Sequence, residues 1–470
     1  MDEKKRELMG IVGDEDVTDA PLVLEQYAAD RSCVARILPR YIVRPRNTAE
    51  VQDLVRWANR VAAPLIPVSS GPPHHNGDTV PSVAEAVIVD LSLMKGILKI
   101  DRRNRMVVIE PGVTYTELDP VLAAQGLRIP RPLLPRPNKS VVASLLERQP
   151  TTIPRLNYSL PEPLRVCGVV WGTGDLAYTG EAGMGPLSLE AQWNAGLAQV
   201  NQQGPMSTDL MRLLTGAQGT MGIVVWASIK CQLLPVARKC FTVTAPRLGD
   251  LVEFCRKVER LKLGDEVVLL NRARLAGALG GGGDGLAPWT VLLGASGAAL
   301  YPEEKLKLQE KELGGAAAEF GLSLREAGAG VAAVLDGCTR PVEHVRDIFF
   351  LCTLDAVPGH VDNVLGLAGQ LGYPPDRIGV YIQPQHQGVS QHVEFTIPYD
   401  PGDKSEKALA EKLFAVGSEI LIAKGAYFSR PYGPWADLVY SRDATATRVL
   451  RTVKQIVDPN HVMNPGKLCY

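Results

Sequence analysis

Two histidines and a glutamate stand close together in QPQHQGVSQHVEFTIP: His386, His392 and Glu394. Two imidazoles and one carboxylate are enough to bind zinc or iron. His392 and Glu394 are two residues apart on a strand-like run, so both point to one face and can act jointly. Either imidazole could instead take a proton as a base, or simply be a polar pocket or surface residue. A second stretch, AYFSRPYGPWADLVY, sets Arg430 among Tyr427, Phe428, Tyr432 and Trp435. Rings and a guanidinium suit a planar substrate carrying a carboxylate or phenolate. Ordinary packing under a C-terminal helix is the plainer alternative. A third stretch, PVSSGPPHHNGD, lies between the apolar runs APLIPV and AEAVIVDLS. A glycine-bounded turn between strands often holds a phosphate, but Pro72 and Pro73 have no backbone N–H to offer. Ser69, Ser70, His74, His75 and Asn76 can still donate, inside the bracket of Gly71 and Gly77.

A fourth stretch, TGAQGTMGIV, packs Gly216, Gly219, Thr220 and Gly222 between a helix-like and a strand-like run. Glycines there let backbone N–H groups approach an anionic or planar ligand, although a tight turn alone explains them as well. Neither G-x-G-x-x-G after a first strand nor G-x-x-x-x-G-K-[ST] occurs, which excludes a P-loop nucleotide hydrolase. Lys and Arg number 50 against 51 Asp and Glu, so nothing in the charge points to nucleic acid. The eight cysteines are scattered without a C-x-x-C, which argues for a reduced cytoplasmic setting and against a cysteine-held cluster. Any iron–sulfur centre that takes electrons from this chain would sit on another chain. The opening MDEKKRELMG does not read as a secretory leader, and no apolar run is long enough for a transmembrane segment.

These residues need elements to hold them. RYIVRPRNTAEVQDLVRWANRVAAPLIPV reads as strand, turn, helix and strand, with Thr48 as N-cap. VVASLLERQPTTIPRLNYSLPEPL is rich in proline and reads as a long packed loop. Beyond residue 236 the character changes to two strand–helix–strand sets, interrupted by a flexible loop at GALGGGGDGLAPW. That arrangement fits an α+β domain built on an antiparallel sheet. The chain then turns helical at ALAEKLFAVGSEILIAKG.

YIVRPRNTAEVQDLVRWAN, VIVDLSLMKGILKIDRRNRMVVIEPGVTYTEL, LMRLLTGAQGTMGIVVWASIKCQLLP and IVDPNHVMNPGKL together resemble the FAD-binding PCMH-type flavoproteins, the superfamily of vanillyl-alcohol oxidase and p-cresol methylhydroxylase. The pieces run in family order over roughly residues 15 to 236 and the last 20 or so. The resemblance implies an α+β fold. A two-part FAD-binding domain would span 1–236, an inserted substrate (cap) domain 237–425, and a segment returning to the flavin 426–470. LLTGAQGTMGIV and NPGKL resemble the glycolate oxidase and D-lactate dehydrogenase branch. YTGEAGMGP and SVVASLLERQPTTIP look more like the branch that oxidises phenols and aromatic alcohols.

Carried onto this sequence, the family places FAD against Val68, Ser69, Ser70, Gly71, His74, His75, Asn76 and Gly77. Further contacts would come from Pro111, Gly112, Ser140, Val141, Ala143, Ser144, Gly216, Gly219, Thr220, Gly222, Ile223, Val224, Asn464 and Lys467. Val142 and Ala143 stand where the family has a glycine pair. Some relatives attach FAD through a histidine of the first loop, a role open to His74 or His75, although a hydrogen bond to phosphate fits the spacing better. The hydroxy-acid branch binds a divalent metal at the position of His386, His392 and Glu394. Here the spacing is one residue shorter, the Asp-Gly-Asn between the histidines is absent, and AYFSRPYGPW replaces a later Glu-His-Gly. Arg430, Tyr432 and Tyr381 would orient substrate, with His386 or His392 as base. The implied activity is hydride transfer from a small hydroxylated molecule to FAD, then electron transfer to a partner protein (iron–sulfur, cytochrome or electron-transfer flavoprotein) or to oxygen. The substrate would be a 2-hydroxy acid or a phenolic or benzylic alcohol. A non-catalytic or electron-relay flavin-fold subunit of a larger redox complex is the rival reading.

Overall fold

The computed structural model describes residues 2–156, 162–183, 187–196, 209–297, 299–337 and 344–470. The end of the YTGEAGMGP stretch, at 184–186, and an inner part of the proline-rich stretch, at 157–161, lie outside them. Tyr41–Val43, Val87–Asp90 and Leu65–Val68 are continuous apolar runs and form parallel neighbours, as strands covered on both faces do. Val17–Thr18 adds an antiparallel edge to this four-stranded sheet. The helix Thr48–Val61 makes the crossover and buries Val51, Leu54, Val55 and Ala58 along one stripe. Its cap is Asn47, not the expected Thr48. The Asn47 side chain accepts from the Glu50 N–H at 3.0 Å, one residue earlier than the sequence pattern suggests.

A second, antiparallel sheet has five strands in the order Ile97–Asp101, Met106–Ile109, Gly222–Lys230, Leu164–Trp171 and Leu176–Tyr178. Where the sequence suggested only loop, Val141–Leu146 is a short helix. Ser140 caps it by accepting from the Ala143 N–H at 3.0 Å, and Val141, Val142 and Leu145 are buried against the second sheet's core. The cap and the packing override the proline-rich context.

Strands between residues 237 and 398 form a seven-stranded antiparallel sheet. Its order is Leu324–Glu326, Ala237–Ala245, Trp289–Gly297, Glu266–Asn271, Gly379–Gln385, Ser390–Pro398 and Val345–Cys352. Side chains alternate across it. Val267, Leu269, Val380, Ile382, Val393, Phe395, Ile348 and Phe350 enter one core, under helices such as Gly249–Arg260 and Lys404–Ala423. The opposite face carries Leu270, Tyr381, Glu394 and Phe349 as one cross-strand row. That face looks towards the first part of the chain. No helix among the described residues is long and apolar enough to cross a membrane.

Candidate active site

The loop at 67–78 leaves the end of Leu65–Val68 and is tied down from three sides. The Gly71 N–H donates to the Asn138 carbonyl at 3.0 Å, and the Gly77 N–H to Asp30 Oδ2 at 2.6 Å. The Ser140 N–H donates to Ser70 Oγ at 3.1 Å, which joins the first loop to the capped helix. Arg136 and Asn138 donate to the carbonyls of Pro73 and Pro72. From the C-terminal segment, Lys467 Nζ reaches the Gly77 carbonyl at 2.7 Å. Asn464 Nδ2 bridges the carbonyls of Asp78, at 2.9 Å, and Gln218, at 2.7 Å. One asparagine thus holds the first loop and the glycine turn together.

These loops line a cavity that is open to solvent on one side. Its wall includes Val68, Ser69, Ser70, His74, His75, Asn76, Pro111, Ala143, Gly216, Gly219, Gly222, Ile223, Val224 and Tyr432 from the sequence-predicted set. The other predicted cofactor residues stand behind the wall. Gly71, Gly77, Ser140, Asn464 and Lys467 make the ties just described. Gly112 passes so close to the next segment that a Cβ would lie 2.7 Å from the carbonyls of Leu91 and Met94. Val141 is core, Ser144 accepts from the Tyr115 hydroxyl at 3.1 Å, and Thr220 donates to the Ala217 carbonyl at 2.7 Å. Sequence reasoning missed Asp78, Thr79, Arg136, Lys139 and Glu147, all on the wall. The basic pair in PRPNK, just before Ser140, was the available signal.

The cavity suits a flat, anionic cofactor. Leu91, Val142, Leu146, Leu214 and Met221 give it apolar sides, and Gly216 opens onto it at φ +77°. His74 Nε2 and Thr79 Oγ1 are buried on its wall without a hydrogen-bond partner among the described residues. Buried polar atoms of this kind are normally satisfied, so the wall is short of a ligand that can accept or donate there. Burial, and then the cations Arg136 and Lys139, push the His74 imidazole down to about 3, so it is neutral. Burial, and then Glu147, push the Asp78 carboxyl up to about 7.

A second cavity shares His75, Asn76, Arg136, Lys139 and Glu147 with the first. Its far wall is the open face of the seven-stranded sheet: Tyr381, Glu394, Phe349 and Asp347, with Arg274 and Arg430. Arg274 sits in the first turn of Arg272–Ala278, capped by Asn271, and donates to Glu394 Oε1 at 2.9 Å. The Tyr381 hydroxyl donates to Gln383 Oε1 at 3.0 Å. Arg430 is 6% exposed, lies with its guanidinium 4.1 Å from the Phe349 ring centre, and has no carboxylate partner among the described residues.

The expected metal trio does not assemble. His386 lies in the turn beyond the Gln385–Ser390 pair, off the row that carries Glu394. His392 does meet Glu394, Nε2 to Oε2 at 3.5 Å, but it is sealed between the rings of Tyr381 and Phe349. Glu394 already binds a guanidinium. Among the described residues no group of three metal-ligating side chains forms, and neither histidine lines either of these two cavities. The shortened spacing moves His386 past the strand end.

A family profile described as the FAD binding domain matches residues 39–146, which contain the first loop and the helix capped by Ser140. The whole chain superposes on p-cresol methylhydroxylase with a TM-score of 0.85 at 17% identity, covering 99% of this chain and 96% of that one. The fold is therefore that of the PCMH-type FAD flavoproteins, and the FAD-binding profile matches its first part. Among curated relatives, a mitochondrial D-lactate dehydrogenase (cytochrome) of Arabidopsis thaliana is 22% identical, over 92% of this chain and 73% of its own length. A D-2-hydroxyglutarate dehydrogenase of Stutzerimonas stutzeri is 24% identical, over 96% and 95%. In this fold, the first cavity is the candidate flavin site and the second the candidate substrate site.

Proposed function

We propose that the protein is an FAD-dependent dehydrogenase that oxidises a small hydroxylated organic anion. The observation that carries the reading is Arg430. A buried guanidinium stacked on a ring, on the wall of a cavity that adjoins the flavin cavity, lacks a carboxylate among the described residues. Burying an unpaired charge is costly, so the arrangement favours a ligand that brings the counter-charge. Bound FAD would supply the hydride acceptor. Arg430 would hold the substrate's oxygen anion. Tyr381 and Phe349 would fix the plane of the molecule from the sheet side. Glu394 would take the hydroxyl proton, held by Arg274 and backed by His392. No step runs through a metal, because His386, His392 and Glu394 do not come together as ligands and no other such group of three forms among the described residues.

A 2-hydroxy acid is the first substrate class, supported by the relatives aligned over most of the chain. A phenol or benzylic alcohol is the second, favoured by the ring-lined wall and the likeness to p-cresol methylhydroxylase. Electrons would then pass to a partner protein carrying an iron–sulfur centre, a cytochrome or a flavin. The test is anaerobic bleaching of the purified, FAD-loaded protein by D-lactate, glycolate, D-2-hydroxyglutarate and 4-alkylphenols. Bleaching by either class supports the dehydrogenase and selects the substrate. A loaded protein that no member of either class reduces would overturn it in favour of a non-catalytic or relay subunit.

A further inference from the structure

The first loop is poorly equipped to hold a diphosphate through its backbone. Pro72 and Pro73 have no N–H, and the N–H groups of the bracketing Gly71 and Gly77 are already engaged by the Asn138 carbonyl and the Asp30 carboxylate. What the loop has instead is positive charge packed against it. Arg136 is anchored on the Pro73 carbonyl. Lys139, 6% exposed, is held by Glu147, and Lys467 is anchored on the Gly77 carbonyl. Arg136 and Lys139 both face the cavity. They lie close enough to His74 to help keep its imidazole neutral, so His74 can offer a neutral N–H but not a charge. Of the two carboxylates on the same wall, Glu147 is neutralised by Lys139, and Asp78 is partly protonated near neutral pH.

We propose that this chain holds the cofactor's diphosphate with the side-chain cations Arg136 and Lys139, in place of a cradle of loop N–H groups. The inference rests on the FAD reading above and adds which groups carry the affinity. A guanidinium offers paired N–H donors to phosphate oxygens, and an ammonium offers a point charge. Salt screens the attraction between these cations and the diphosphate, whereas binding of the uncharged ring system has no such term to lose.

The experiment compares FAD and riboflavin binding to flavin-stripped protein by quenching of flavin fluorescence. Riboflavin has the ring system but no diphosphate. Raising NaCl should weaken FAD binding by about tenfold or more and leave riboflavin unchanged. Arg136→Gln and Lys139→Gln should each weaken FAD by about tenfold or more, with riboflavin affinity retained as the proof of an intact pocket. Arg136→Lys should restore part of the loss. FAD affinity that is indifferent to salt and to both substitutions would overturn the proposal while leaving the flavoprotein reading in place. Folded wild-type protein that binds neither FAD nor riboflavin would overturn both.

Discussion

At the scale of the residue, two charged groups on the wall of the second cavity differ in how they are satisfied. Glu394 has Arg274 on one oxygen and His392 near the other, while Arg430 has a ring beneath it and no carboxylate partner among the described residues. Removing the Arg430 charge should therefore cost substrate binding more than folding. For Arg430→Ala we expect kcat/KM to fall by about 100-fold or more, mostly through KM, with the flavin spectrum unchanged. Glu394→Gln keeps the shape and the contact with Arg274 but cannot take a proton. It should lower kcat by about 100-fold or more while KM moves little, measured by stopped-flow reduction of the flavin. His74 gives a pH signature of a different kind. Its imidazole is held at about 3 against an ordinary 6.5, so below 6.5 the unfolded chain takes up a proton that the folded protein refuses. Stability should then decline as pH falls from 6.5 towards 3, by at most about 1.4 kcal/mol per pH unit. Urea unfolding of the flavin-free protein at stepped pH should show a shallower decline for His74→Asn. These roles were only half legible in the sequence. AYFSRPYGPW marked Arg430 by the company it keeps. Arg274 lies more than a hundred residues from Glu394, and nothing local links the two.

At the scale of the element, a short helix holds the flavin loop in place. Val141–Leu146 has only six residues, too few to persist without its cap and its buried face. Ser140 performs three tasks at once: its hydroxyl caps the helix and donates to the Pro111 carbonyl, and its N–H reaches Ser70 on the first loop. Ser140→Ala should cost about 1 to 2 kcal/mol, seen as a lower Tm, and should also weaken FAD binding because the Ser70 contact loses its anchor. A substitution that lowers Tm with no change in FAD affinity would mean that the helix is merely structural. The sequence pattern found the long amphipathic helices and the strands, because their burial repeats at regular spacing. It missed this helix because the signal is a single serine followed by six residues, inside a proline-rich stretch. It also placed the cap of Thr48–Val61 one residue late, since asparagine and threonine both cap and stand side by side.

At the scale of the whole molecule, the C-terminal segment closes the structure over residues some 230 to 390 positions away in sequence. Its centre is a fully buried ion pair, Lys454 with Asp458. The ammonium also donates to the carbonyls of Thr220 and Met463, and the carboxylate accepts the N–H groups of Val462 and Met463. The pair thus joins the last helix, the glycine turn and the segment of the NPGKL ending that clamps the first loop. Every group in it has a partner, so removing one charge leaves the other buried and uncompensated. Lys454→Met should therefore destabilise the protein by about 3 to 5 kcal/mol, and FAD should dissociate faster, since Asn464 and Lys467 lose their footing on the flavin loops. The double variant Lys454→Met with Asp458→Leu separates the two effects. It removes the stranded carboxylate and should recover much of the stability in urea. It does not restore the bonds to the Thr220 and Met463 carbonyls, so FAD release should stay fast. Recovery of both together would mean that charge burial alone governs this end of the molecule. Recovery of neither would mean that the hydrogen bonds to the backbone are what hold it.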